Sequence, residues 1–84
     1  MKLTAELSLY PLQEDYIPVI KAFIDELCAG GDVLVVQNAM ATQLCGEYDH
    51  VFDLVREVLR RSSIEFGKQV LVCKFIPGEL DIAG

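Results

Sequence analysis

The segment from Leu3 to Tyr10 alternates apolar and polar residues without a break, a pattern typical of a β-strand that buries one face. The polar positions lie on its other face and are Thr4, Glu6, Ser8 and Tyr10. Two later segments, Val33 to Gln37 and Val70 to Ile76, carry apolar residues on both faces. A sheet built from these strands would expose apolar side chains if its second face met water. The pattern therefore predicts a sheet with helices on one side and a further cover, such as another copy of the chain, on the other.

The composition limits the size of the fold and its partners. With 84 residues the chain can form one domain, residues 1–84, but not two hydrophobic cores. Hydrophobic residues make up 52% of the sequence, which favours an interface on part of the surface. The net charge of -6 argues against nucleic acid or an anionic membrane as partner, because both attract clustered lysine and arginine. The sequence shows no signal peptide and no membrane-length apolar run, so we expect a cytoplasmic protein.

A helix is predicted after the first strand. Pro11 ends the strand, and Asp15 can cap a helix that contains Pro18 in its first turn, where a missing N–H does no harm. The apolar residues at helical spacing are Tyr16, Ile20, Phe23, Ile24 and Leu27. The pair Gly30-Gly31 then indicates the end of the helix.

The second half of the chain repeats the order strand, helix, strand. Residues 32–37 are rich in valine and predict a strand, which turns at residues 38–40 into a partner strand over residues 41–45. Glu47 and Asp49 place negative charge at the start of a second helix, where the helix dipole favours it.

We expect this second helix to close at Arg60 and Arg61, with a loop over residues 62–68 before the last strand at residues 69–76. Under the right-handed crossover rule the order βαββαβ leaves few ways to fold. The sequence therefore predicts an α+β fold, the ferredoxin-like βαββαβ sandwich, with a four-stranded antiparallel sheet and two helices on one face.

Residues that carry catalysis or bind metals are scarce. Cys28, Cys45 and Cys73 lie in three different predicted elements without Cys-x-x-Cys spacing, so we expect reduced, mostly buried thiols and no metal site. His50 is the only histidine, and its place at the start of the second helix needs no catalytic explanation. We expect no catalytic residues, no enzyme activity and no cofactor.

A small set of polar residues is a better candidate for function. The predicted topology could bring Glu6, Ser8, Asn38 and Thr42 near one another around the central strands. They could form a polar pocket at the sheet interface, with Met40 and Phe75 as apolar walls, because a flexible thioether packs well around a flat ring. The alternative is that they are ordinary polar residues of a sheet face or turn with no ligand.

The sequence contains three short motifs, which are the segment Ala5 to Leu12, the segment Met40-Ala41-Thr42 and the pair Gly46-Glu47. Together they resemble the family of small proteins related to YkoF that bind thiamine or hydroxymethylpyrimidine, and the resemblance extends over essentially the whole chain. It implies a ferredoxin-like domain, single in oligomers or in tandem pairs, that binds thiamine or its pyrimidine without converting it. Carried onto this chain, the family pattern falls on Ser8, Met40 and Thr42.

The resemblance and the residues together give one expected function. We expect non-enzymatic binding of thiamine or its hydroxymethylpyrimidine moiety by Glu6, Ser8, Asn38, Met40 and Thr42. Glu6 is the expected charged partner of a thiazolium cation, and a hydroxyl with a Glu or Asn side chain could read an aminopyrimidine by paired hydrogen bonds. We also expect a homo-oligomer, a dimer or tetramer, joined through the sheet face.

Other functions stay open from the sequence alone. The sheet face could simply pair with another protein, or the domain could be a regulatory small-molecule-binding module without thiamine specificity. An enzyme acting on a thiamine precursor, with Glu47, Asp49 and His50 near the chemistry, is a further alternative.

Overall fold

A computed structural model describes residues 1–84 and confirms the predicted architecture. The elements are β1 Lys2–Pro11, α1 Ile17–Cys28, β2 Val33–Gln37, β3 Thr42–Glu47, α2 Tyr48–Phe66 and β4 Gln69–Pro77. The four strands form one antiparallel sheet in the order β2-β3-β1-β4. With the order βαββαβ, this is the ferredoxin-like α+β sandwich. Neither helix is long and apolar enough to cross a lipid bilayer.

The alternation in β1 divides the sheet into two faces. Leu3, Ala5 and Leu7 are buried under the helices, as the sequence predicts for the apolar positions. The helix-covered core also takes Leu44 from β3. The buried core residues contributed by the two helices are Phe23, Leu27, Val51, Val55 and Val58. We call the opposite side of the sheet, which no helix covers, the open face.

Helix α1 starts differently from the prediction. Its N-cap is Tyr16, no side chain caps it, and Asp15 lies one residue before that position. Pro18 in the first turn has no N–H to satisfy, so one of the donors that an N-cap would serve is missing. Val19 is a core position that the predicted stripe omitted, and Tyr16 is half exposed.

Helix α2 is longer than predicted. It continues through Ser62, where a loop was expected, to Phe66, and Gly67 follows with a positive φ of 97°. Ser62 is buried, and its hydroxyl donates a 2.9 Å hydrogen bond to Oε1 of Gln69. This bond satisfies the hydroxyl in the core, so a polar residue can continue the buried side of the helix.

Glu47 caps the start of α2, in agreement with the negative charge predicted there. Its carboxylate accepts hydrogen bonds from the backbone N–H of Asp49 at 3.1 Å and of His50 at 3.2 Å. The bond from Asp49 is the largest cause that lowers the pKa of Glu47 below its ordinary value of 4.5, and the bond from His50 adds to it.

The C-terminal segment, residues 78–84, covers one end of the open face. The Thr4 hydroxyl donates to the carbonyl of Gly78 at 2.9 Å and accepts from the N–H of Leu80 at 3.0 Å. Thr4 and Cys45 on this face are therefore buried, whereas Val72 and Tyr10 at its other end are about half exposed. The chain itself supplies part of the cover that the sequence pattern requires.

Candidate functional site

The candidate site lies where β1 continues past the end of β3. Pairing between these strands stops at Leu7 and Thr42, but β1 continues beside β4 as far as Pro11. The β2–β3 hairpin, residues 38–41, and helix α1 border the gap and form with it a cavity of about 190 Å³ that is open to solvent on one side. The cavity is lined by Leu7, Ser8, Leu9, Tyr10, Ile20, Phe23, Ile24, Gln37, Asn38, Ala39, Met40, Ala41 and Thr42.

One wall of the cavity comes from helix α1. Ile20, Phe23 and Ile24 are spaced so that they share one side of the helix, facing the sheet. Phe23 is also part of the hydrophobic core, so this wall is fixed by the packing of the domain.

The hairpin between β2 and β3 is held by Asn38. Its side-chain oxygen accepts hydrogen bonds from the N–H of Met40 at 3.3 Å and of Ala41 at 3.1 Å, and its own N–H donates to the carbonyl of Ala41. This arrangement is the turn-forming role that short amide side chains take in tight turns. It leaves the amide NH₂ of Asn38 free to donate to a ligand.

Thr42 is the central polar group of the cavity. It lies opposite Leu7, so its side chain belongs to the helix-covered face, and the residue is only 8% exposed. Its hydroxyl makes no hydrogen bond within the chain. Since every fully buried side-chain polar atom in the structure has a partner, the Thr42 hydroxyl is not fully buried. The hydroxyl is therefore available to a group inside the cavity.

The structure brings four of the five predicted ligand residues to this cavity. Ser8, Asn38, Met40 and Thr42 all line it. Met40 is 88% exposed and lies in the hairpin at the rim. The pleat of β1 directs the Ser8 side chain to the open face, between the inward-facing Leu7 and Leu9, so Ser8 borders the cavity from the strand edge.

Glu6 does not belong to this group, and its predicted place beside Thr42 is wrong. Glu6 lies opposite Gln43 in β3 and Lys74 in β4, on the open face. Nε2 of Gln43 donates to its carboxylate at 3.3 Å, and Nζ of Lys74 lies 3.7 Å from it. The cavity that the structure shows lies between the sheet and α1, whereas the pocket predicted at the sheet interface would need a second subunit.

Phe75 also lies elsewhere than predicted. It is opposite Ala5 on the helix-covered face, and its ring lies 4.6 Å from that of Phe52, centroid to centroid. This contact belongs to α2 and β4, whereas the cavity is bordered by α1. Phe75 is therefore not a wall of the site.

Sequence reasoning missed several lining residues. The sequence pattern predicts Tyr10 only on the polar face of β1, Gln37 only at the end of a strand and Ile20 only in the core, whereas all three line the cavity. The signal available in the sequence is the difference in length between β1 and β3, ten residues against six. This difference leaves the last residues of β1 without a neighbour on the β3 side.

The other reactive side chains lie away from the cavity. Nε2 of His50 is 2.8 Å from the carbonyl of Gly30, a contact that ties the start of α2 to the loop after α1. Burial raises the pKa of the Cys73 thiol, and all three cysteines are free. No three His, Cys, Asp or Glu side chains lie together in a way that could hold a metal ion.

The geometry first defines a class: a ferredoxin-like domain with a ring-sized cavity between its sheet and its first helix. Comparison with known families then gives a particular assignment. The chain belongs to the YKOF-related family, whose model matches residues 2–75, and this confirms the resemblance drawn from the sequence. Curated protein sequences give no significant match.

Solved structures of similar fold come from several organisms. A protein from Streptococcus pneumoniae is 27% identical with a TM-score of 0.83, over 95% of this chain and 90% of that one. A candidate thiamine biosynthesis/salvage protein from Thermotoga maritima is 23% identical with a TM-score of 0.84, over 98% and 91%. A protein from Methanocaldococcus jannascii is 25% identical with a TM-score of 0.79, over 93% and 81%.

Proposed function

We propose that this protein binds thiamine or its hydroxymethylpyrimidine moiety, without converting it, in the cavity between β1, α1 and the β2–β3 hairpin. The observation that carries the proposal is the cavity itself, which gathers Ser8, Asn38, Met40 and Thr42 beside an apolar helix wall. Membership of the YKOF-related family and the similarity to a candidate thiamine biosynthesis/salvage protein support a thiamine-related role.

The size of the cavity favours the pyrimidine ring as the buried part of the ligand. An apolar cavity of about 150 Å³ is large enough for benzene, so a cavity of about 190 Å³ suits one six-membered ring with small substituents. Two aromatic rings do not fit into this space together. The thiazolium ring of thiamine would therefore lie outside, where the net charge of -6 favours a cation.

The chemistry of the lining favours binding over catalysis. The lining residues supply hydroxyl and amide groups but no carboxylate, imidazole, amine or thiol, and the phenol of Tyr10 belongs to the open face of β1. Hydroxyl and amide groups can pair with the amino group and ring nitrogens of an aminopyrimidine, and the apolar walls exclude water around its faces. General acid-base catalysis needs an ionisable group within hydrogen-bond reach of the substrate.

Isothermal titration calorimetry with thiamine and with hydroxymethylpyrimidine tests the proposal. We expect both to bind at submillimolar concentration, because the buried pyrimidine is common to them. Circular dichroism of the same sample establishes that the protein is folded. The proposal fails if a folded sample binds neither compound.

We further propose that a second copy of the chain covers the free end of the open face. Val70, Val72 and Tyr10 expose about half of their surfaces there, and Glu6 and Lys74 lie beside them with opposite charges. In a twofold arrangement the same patch meets itself, so each Glu6 can approach the Lys74 of the partner subunit while the apolar groups pack together. Binding of an unrelated protein to this patch is the competing explanation.

A further inference from the structure

The hydrogen bonds of β1 alternate between its two neighbours along the whole strand. The N–H of Gly78 donates to the backbone carbonyl of Lys2, and the N–H of Leu12 donates to the backbone carbonyl of Lys68. The backbone groups of the even-numbered residues of β1 therefore face β4. The N–H of Tyr48 donates to the backbone carbonyl of Met1, so the backbone groups of the odd-numbered residues of β1 face β3. The β1–β4 register is continuous from Leu3 to Pro11, so no bulge interrupts this alternation.

Leu9 is the first odd-numbered residue beyond the end of β3. Leu7 pairs with Thr42, and Met40 would stand opposite Leu9 if the ladder continued. The N–H of Met40 is instead bonded to the side chain of Asn38, because the hairpin satisfies its own polar groups. The N–H and C=O of Leu9 therefore point toward the gap without a partner strand.

These two backbone groups border the cavity, since Leu9 is one of its lining residues. In an antiparallel strand the N–H and C=O of one residue point the same way, so Leu9 presents a donor and an acceptor side by side. Backbone groups that lack a partner in a folded protein are good sites for a ligand to pair with. The cavity, at about 190 Å³, is too small for a peptide strand but suits a ring.

We propose that the backbone N–H and C=O of Leu9 recognise a flat heteroaromatic ring that carries an amino group beside a ring nitrogen. The ring nitrogen accepts from the Leu9 N–H, and the amino group donates to the Leu9 C=O, as a neighbouring strand would. This inference rests on the proposed function and names the part of the ligand that the protein recognises. It explains how the site distinguishes an aminopyrimidine without a charged side chain.

The substitution Leu9→Pro removes the N–H and no hydrogen bond of the ladder. Proline is tolerated in strands where the N–H faces no other strand. Leu71→Pro is the matched control: Leu71 is directly opposite Leu9 on β4, and its N–H points to the outer edge of the sheet by the same alternation.

Calorimetry with hydroxymethylpyrimidine measures the affinity of each variant. We expect Leu9→Pro to weaken binding by about tenfold or more, and Leu71→Pro to stay within about threefold of the wild type. The pyrimidine without its amino group should bind the wild type about tenfold more weakly than the parent compound. A folded Leu9→Pro variant that binds as tightly as the wild type overturns the inference.

Amide NMR on the unaltered protein keeps the test decisive if Leu9→Pro does not fold. The Leu9 amide proton should shift downfield and exchange more slowly with solvent when hydroxymethylpyrimidine is added. If the compound binds but the Leu9 amide does not respond, the inference is wrong and the proposed function stands. If the wild type binds neither the pyrimidine nor thiamine, both are wrong.

Discussion

Thr42 lies directly opposite Leu7 in the β1–β3 ladder, whereas the neighbouring residue Gln43 lies opposite Glu6. The two polar groups expected to share a ligand, Glu6 and Thr42, are therefore on opposite faces of one sheet. Glu6 is paired with Lys74 on the open face, and Thr42 has its hydroxyl at the cavity. This relationship separates the ligand site from the surface that we propose for self-association.

The first prediction tests whether the ligand binds on the face of Thr42 and not on the face of Glu6. Thr42→Val removes the cavity hydroxyl with little change of shape, and we expect binding of hydroxymethylpyrimidine to weaken by about threefold to tenfold, the effect of one neutral hydrogen bond. Glu6→Gln, on the other face, should leave the affinity unchanged. Calorimetry of both variants measures this. Weakened binding in Glu6→Gln with none in Thr42→Val would place the ligand on the open face instead.

The second prediction concerns self-association through the open face. Val72 lies opposite Ser8 and is 46% exposed, so Val72→Lys places a positive charge in the proposed interface. We expect the oligomer to dissociate to monomers at micromolar concentration in light scattering coupled to size exclusion, since burying an unpaired charge is costly.

The matched control for self-association is Ile64→Lys. Ile64 is an apolar side chain on α2 that is 79% exposed and away from the sheet. This variant should retain the molar mass of the wild type. If the wild type is itself a monomer at millimolar concentration, a second copy does not cover the face.

The third prediction tests how the C-terminal segment is attached. Thr4→Val removes the hydroxyl that bonds to Gly78 and Leu80, and we expect a loss of roughly 1–3 kcal/mol in the free energy of unfolding, for two hydrogen bonds. Amides of residues 78–84 should exchange faster in this variant. Thr4→Ser keeps the hydroxyl and should keep most of the protection. Equal exchange in both variants would show that other contacts hold the segment.

The fourth prediction concerns the pH dependence given by Glu47. Its pKa is lowered in the folded state, so the carboxylate stabilises the fold above the ordinary value of 4.5, and this contribution is lost as the pH falls through the folded pKa. We expect Glu47→Gln to have a lower Tm than the wild type at pH 7 and a smaller difference at pH 3.

Glu14→Gln is the control for this pH effect, because Glu14 is an exposed loop residue whose side chain makes no hydrogen bond in the structure. Its Tm should follow that of the wild type at both pH values. Thermal unfolding followed by circular dichroism measures all three proteins. A constant difference between Glu47→Gln and the wild type from pH 7 to pH 3 would contradict the assignment of the cap.

Much of the fold could be predicted from the sequence because its signals are local. The alternation from Leu3 to Tyr10 assigned the faces of β1 correctly, and negative charge at Glu47 marked the start of α2. The end of α2 could not be predicted from local pattern, since Ser62 is acceptable in the core only with Gln69 as its hydrogen-bond partner. That partner belongs to another element.

The sequence by itself determined the order of the elements, the inward side of β1 and the family, because side-chain period and short motifs are properties of the chain. Only the tertiary structure decided that Thr42 faces α1 and Glu6 faces away, since a shift of one residue in register reverses every side chain of a strand. The same register ends β3 before Leu9 and so opens the cavity. Its position depends on how two strands of unequal length are paired, which no segment of the sequence encodes alone.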